Sequence, residues 1–86
     1  MFYLYILKSE VDSELYIGSS CDLRRRLKEH NDGRVFSTKS RRPLMLIYYE
    51  AYKTEKDARK REHNLKLRSR AFAQLKKEFR EACKHD

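Results

Sequence analysis

Apolar side chains fall in short runs separated by charged stretches. Phe2-Tyr-Leu-Tyr-Ile-Leu7 is aromatic and branched, polar residues from Lys8 to Glu14 interrupt it, and Leu15-Tyr-Ile-Gly-Ser19 resumes the same character. Two such runs around a polar turn predict a β-hairpin. From Asp22 to Asp32 the leucines at 23 and 27 recur at helical spacing, with Ser20 or Cys21 near the cap and Asn31-Asp-Gly33 as the stop, which predicts a first helix. Arg34 to Arg42 is polar and basic and closes at Pro43. The continuous run Leu44-Met-Leu-Ile-Tyr-Tyr49 then suits a third strand buried on both faces. Thr54-Glu-Lys-Asp57 has the form of a capping box with Asp in place of Glu, so a second helix is expected toward Leu67. Ser69 can cap a last helix, in which Phe72, Leu75, Phe79 and Cys83 make one apolar stripe. The order β-β-α-β-α-α, with no repeat or linker, describes one α/β domain over residues 1–86.

Some residues sit awkwardly in this pattern. Strand alternation puts Phe2, Leu4 and Ile6 on one face and Tyr3, Tyr5 and Leu7 on the other, while Leu15 and Ile17 oppose Tyr16 and Gly18. With the aliphatic faces toward the core, Tyr5 and Tyr16 emerge together, and Gly18 leaves room for a close approach. In the first helix Arg26 and His30 fall on the stripe of Leu23 and Leu27; in the second, Glu62 falls between Ala58 and Leu65. A guanidinium or carboxylate on a core-facing stripe needs a partner. An internal Arg26–Glu62 salt bridge, or snorkelling of both side chains to the rim, would meet that need. A phosphate at Arg26 would also meet it. Together the two phenols, guanidinium, imidazole and carboxylate are the set required for metal-assisted phosphodiester hydrolysis.

Composition narrows the partner. In 86 residues, 21 Lys and Arg stand against 13 Asp and Glu, a formal net charge of +8, which favours a polyanion through phosphate contacts and counterion release. Hydrophobic content of 40 % excludes a compositionally disordered chain. Cys21 and Cys83 have neither CxxC nor Cys/His spacing, so free thiols and a reducing cytoplasm are expected. The apolar stretch Phe2 to Leu7 is too short for a membrane span.

The chain resembles the GIY-YIG nuclease superfamily, in particular its small stand-alone bacterial members. Tyr3-Leu-Tyr5 stands where the family has GIY, and Tyr16-Ile-Gly18 is a literal YIG. Asp22-Leu-Arg-Arg-Arg26 followed by His30 is similar to the arginine helix, and Arg61-Glu-His-Asn64 to the segment carrying the family's glutamate. The resemblance covers nearly the whole chain in the correct order. It implies an antiparallel three-stranded sheet flanked by helices and a single divalent ion, Mg²⁺ or Mn²⁺, held through Glu62. It further implies a tyrosine base, Tyr16 with Tyr5 as its orienting partner or the reverse, and Arg26 steadying the phosphate. His30 would orient water or phosphate, or support Tyr16. Tyr3 and Leu4 depart from the eponymous Gly and Ile, and Ser19 stands where DNA-repair relatives can carry lysine, which removes one phosphate contact.

The function expected is a metal-dependent endonuclease acting on branched or distorted DNA in repair or recombination. Its catalytic residues would be Tyr5, Tyr16, Arg26, His30 and Glu62. Arg24, Arg25, Lys28, Lys39, Arg41 and Arg42 would hold DNA phosphates without reading bases. DNA is preferred to RNA as the partner, with a protein partner able to supply specificity. The alternative is a catalytically silent nucleic-acid-binding or adaptor module.

Overall fold

In a computed structural model, residues 1–67 and Lys77 are described. Strands β1 (Phe2–Ser9), β2 (Leu15–Ser20) and β3 (Leu44–Tyr52) form an antiparallel sheet in the order β2-β1-β3, and helices α1 (Leu23–Asn31) and α2 (Glu55–Leu67) complete the described fold. The expected last helix, capped at Ser69 and carrying Phe72, Leu75, Phe79 and Cys83, lies outside the described residues. Among those described, no helix is long and apolar enough to cross a membrane.

Strand β1, rather than β3, is the central strand, and the burial pattern follows. Leu4, Tyr5, Ile6 and Leu7 are all buried, whereas β3 is an edge strand with exposed Met45 and Tyr49. Its continuous apolar run therefore does not mark burial on both faces. A helix covers each face of the sheet instead. Leu4, Ile6 and Ile17 pack with Leu65 of α2, and Tyr5, Leu7 and Leu44 pack with Leu23 and Leu27 of α1. A bulge in β3 leaves Ile47 without a β1 partner between the pairs Leu7–Leu46 and Ile6–Tyr48. The extra residue reverses the alternation. Leu44 and Leu46 thus face α1, while Tyr48 and Tyr52 pack on the α2 side.

Local chemistry sets the helix ends. The cap of α1 is Asp22, not Ser20 or Cys21: its carboxylate accepts the Arg25 N–H at 3.1 Å. Ser20 acts one step earlier, its hydroxyl bonded to the Asp22 backbone. The helix stops where Gly33 adopts φ +79°. At α2 the Thr54 hydroxyl accepts the Asp57 N–H at 3.1 Å, the forward half of a capping box. The basic connection between α1 and β3 contains one short 3₁₀ turn, Lys39–Arg41.

Candidate active site

The pleat brings Tyr5 and Tyr16 to the α1 side of the sheet, with ring centroids 6.4 Å apart. Tyr5 sits on the central strand and is 1 % exposed, whereas Tyr16, on edge strand β2, is half-buried. Gly18 is what lets Tyr5 lie flat against the neighbouring strand: a Cβ there would fall 2.5 Å from the Tyr5 hydroxyl. The space expected beside Gly18 is thus filled by the protein's own phenol.

His30 is completely buried, and both ring nitrogens are engaged within the protein. Nε2 meets the Tyr5 hydroxyl at 2.8 Å and Nδ1 the Thr38 hydroxyl at 2.7 Å, while the ring packs edge-on to Tyr16 at 5.0 Å. Burial, reinforced by the charge of Arg26, pulls the imidazole down to about 4. The ring is therefore neutral near pH 7. Of the two expectations for His30, contact with water or phosphate and support of Tyr16, the geometry accords with support: the ring bonds Tyr5 and packs against Tyr16.

Arg26 reaches the same place from one turn earlier on α1. Burial pushes the Tyr5 phenol up to about 12, opposed by the neighbouring Arg26 guanidinium, and the phenol raises the arginine in return. A guanidinium only donates. Beside Arg26 the Tyr5 oxygen is available as an acceptor, while His30 pairs with Tyr5 through Nε2 and with Thr38 through Nδ1. The nearest carboxylate to Arg26 is Glu29, at a loose 3.6 Å.

Glu62 arrives from the other side of the sheet. Its carboxylate accepts the Ser19 hydroxyl at 2.7 Å and the Lys66 ammonium at 2.7 Å. These are its partners in place of the anticipated Arg26 salt bridge. The negative charge still reaches Tyr5, whose phenol it pushes upward. Tyr5, Tyr16, His30 and Arg26 are thus in one cluster, and Glu62 joins it through its field across edge strand β2. Ser19 follows Ile17 on the α2 face, so strand alternation locates it. Thr38 sits in an irregular loop and leaves no periodic trace.

A cleft of about 600 Å³ opens beside this cluster, lined by Ser19, Arg25, Arg26, Arg34, Glu55 and Arg59, among others. Of the basic residues expected at phosphates, Arg25 borders the cleft and Arg24 and Lys28 are exposed on α1. Lys39 and Arg42 line a second, shallower depression with Asn31 and Pro43. Arg41 does something else. Its Nε lies 3.3 Å from Asp12, and its carbonyl accepts the buried Ser9 hydroxyl, so it ties the β1–β2 turn to the basic loop. Arg34 and Arg59 are cleft residues that helical and loop patterns do not single out.

Among the described residues no three His, Cys, Asp or Glu side chains converge to hold a metal. What the site offers is one partly exposed carboxylate, Glu62, beside a hydroxyl. This donor set suits a hard, largely hydrated cation that is completed by substrate oxygens, and it does not suit a closed nitrogen or sulfur cage.

Comparison with known proteins agrees with this fold. Residues 1–78 match the GIY-YIG catalytic domain. A UPF0213 protein of Staphylococcus saprophyticus is 42 % identical over 69 residues, covering 79 % of this chain and 83 % of its own. One from Pediococcus pentosaceus is 39 % identical over 71 residues, covering 81 % and 74 %. A solution NMR structure of a UPF0213 protein from Bacillus halodurans superposes with a TM-score of 0.54 at 31 % identity, covering 87 % of this chain and 81 % of that one. With its three-stranded sheet, two helices and ordered motifs, the chain belongs to the GIY-YIG family of nuclease domains.

Proposed function

We propose that residues 1–86 form one metal-dependent endonuclease domain that hydrolyses DNA phosphodiester bonds, on branched or distorted DNA, in the cytoplasm. The observation that carries this reading is the arginine-tyrosine cluster: the Arg26 guanidinium stands beside the Tyr5 phenol, the Tyr16 ring lies 6.4 Å from that of Tyr5, and the carboxylate paired with Arg26 is Glu29 at a loose 3.6 Å. A bridging phosphate supplies Arg26 with closer acceptor oxygens than Glu29 offers at 3.6 Å. Glu62 would hold Mg²⁺ or Mn²⁺, which when bound supplies Lewis-acid charge at a phosphate oxygen.

The protein's own groups divide the remaining work. Tyr5 is not the base: forming its phenolate near neutrality from a pKa of about 12 costs roughly 7 kcal/mol, and its hydroxyl is already engaged with His30. Tyr16, half-buried at the sheet edge, is the group able to take a proton from attacking water. Arg26 opposes the charge developing on the phosphate. His30 and Thr38 keep Tyr5 in place. Arg25, Arg34 and Arg59 extend the contact along the backbone, and Arg24, Lys28, Lys39 and Arg42 lie farther out.

Supercoiled plasmid and branched oligonucleotides with Mg²⁺ provide the test. Glu62→Ala is expected to abolish nicking and Arg26→Ala to cut it by about 10²–10³-fold, both with circular dichroism unchanged, and full activity in either overturns the mechanism. Wild-type protein that binds these substrates without cutting them supports the adaptor reading instead. Binding to DNA should weaken roughly tenfold or more between low and physiological salt, and a flat response removes the phosphate contacts.

A further inference from the structure

Phe36 is 94 % exposed, more than any other large hydrophobic side chain described. Its surroundings are well fixed. Val35 and Thr38 on either side are buried, the Thr38 N–H donates to the Val35 carbonyl at 3.1 Å, and the Arg34 N–H donates to the Glu29 carbonyl at 3.0 Å. The Thr38 hydroxyl is bonded to His30, so the loop is pinned to the tyrosine cluster itself. The backbone therefore holds this ring out in solvent, although burying a phenylalanine typically stabilises by about 1.5–3 kcal/mol.

The residues around Phe36 in the chain are cationic. Arg34, two positions before, lines the cleft with Arg25 and Arg26, and Lys39 and Arg42 follow. No apolar neighbour in the loop is exposed beside it: Val35 is buried, and Ser37 and Thr38 are polar. An exposed aromatic ring flanked along the chain by basic groups is suited to stack on nucleic-acid bases while phosphates are held nearby. An apolar protein surface would require a broader hydrophobic patch.

We propose that Phe36 is a base-stacking residue, which takes a nucleobase unstacked or unpaired next to the backbone bound in the cleft. This deepens the nuclease reading by giving it a source of preference for distorted DNA. In paired, stacked duplex the base faces are covered; at a branch, flap or mismatch one is available to the ring. Stacking of this kind reads no sequence.

The chain has no tryptophan, so Phe36→Trp introduces a single reporter at an exposed position. The full-length variant is titrated, with EDTA present so that cleavage plays no part, against an oligodeoxynucleotide containing unpaired bases and, separately, against heparin, which offers charge without bases. Strong quenching by the oligonucleotide and none by heparin is expected. Phe36→Ala should bind the same oligonucleotide roughly tenfold more weakly, with an unchanged salt slope because no charge is lost. Binding without quenching, or unchanged affinity in Phe36→Ala, overturns the proposal and leaves the nuclease reading standing. Concentration-dependent dimerisation that shifts the emission without DNA overturns it in favour of a protein contact. Quenching by a protein that never nicks DNA with Mg²⁺ supports the stacking role and defeats the nuclease reading alone.

Discussion

The two faces of the sheet carry clusters of nearly the same composition. On the α1 side are Tyr5, Tyr16 and Arg26 with His30. On the α2 side are Tyr48, Tyr52 and Arg61 with Glu50. In the second cluster the carboxylate sits at the centre: it accepts from both phenols, Tyr52 at 2.6 Å, and from two guanidinium nitrogens of Arg61 at 3.0 and 3.2 Å. Burial tends to raise the Glu50 carboxyl, but these bonds outweigh it and hold it below the usual range, while burial and Glu50 together push both phenols up to about 12. The charges are closed on one another. In the first cluster the central group is a neutral imidazole, and the carboxylate that would close the arginine is 3.6 Å off on the same helix. Two tyrosines and an arginine make a closed brace when an acid sits at their centre, and on the α1 side the central place is held by a neutral ring instead.

Substitutions can break this contrast. The largest effect is expected from Arg26→Ala, a loss of about 10²–10³-fold in nicking, roughly 3–4 kcal/mol of transition-state stabilisation, with a urea midpoint near that of the wild type. An equal loss of activity and stability would mean that both clusters are merely structural. Next is the pH response of His30. Its folded pKa of about 4 lies below the ordinary 6.5, so on acidification the unfolded chain takes up the proton first. Stability held above pH 6.5 is lost as pH falls toward 4, by up to about 3 kcal/mol. Urea titrations at several pH values should show that His30→Gln removes this slope.

Smaller effects sharpen the difference. Glu50→Gln, which withdraws the charge from the centre of the brace, should cost about 2 kcal/mol in chemical denaturation. Nicking per folded molecule should be unchanged; a selective loss of nicking would make Glu50 part of the chemistry. Tyr52→Phe removes one hydrogen bond to Glu50 and is expected to cost about 1 kcal/mol by the same measurement. Tyr16→Phe should do the reverse, leaving stability nearly unchanged while nicking falls. A Tyr52→Phe enzyme that folds normally but no longer nicks would erase the distinction between the faces.

Much of the frame was legible in the amino-acid order because it depends on short-range regularities. Strand alternation placed Tyr5 with Tyr16, helical spacing placed Arg26 and His30 one turn apart with Leu23 and Leu27, and Thr54-Glu-Lys-Asp57 marked the start of α2. The apolar run at Leu44 misled in one respect. Burial depends on position in the sheet, and the strand order β2-β1-β3 leaves β3 at an edge, where a bulge divides its side chains between both faces. Even the sharper cap at Asp22 depends on which of three adjacent polar residues reaches a free N–H, a matter of backbone geometry.

By itself, then, the sequence determined the elements of the described residues, the family and which polar groups had to find partners, because periodicity and motif order are written along one dimension. Only the tertiary structure decided who those partners were. It gave Glu62 to Ser19 and Lys66, Arg41 to Asp12, Arg61 to Glu50 and His30 to Tyr5 and Thr38, and it left Arg26 beside a phenol with only the loose Glu29 pair. Pairing of charges and hydrogen bonds is settled at separations of about 3 Å between elements far apart in the chain, and no periodicity encodes that distance.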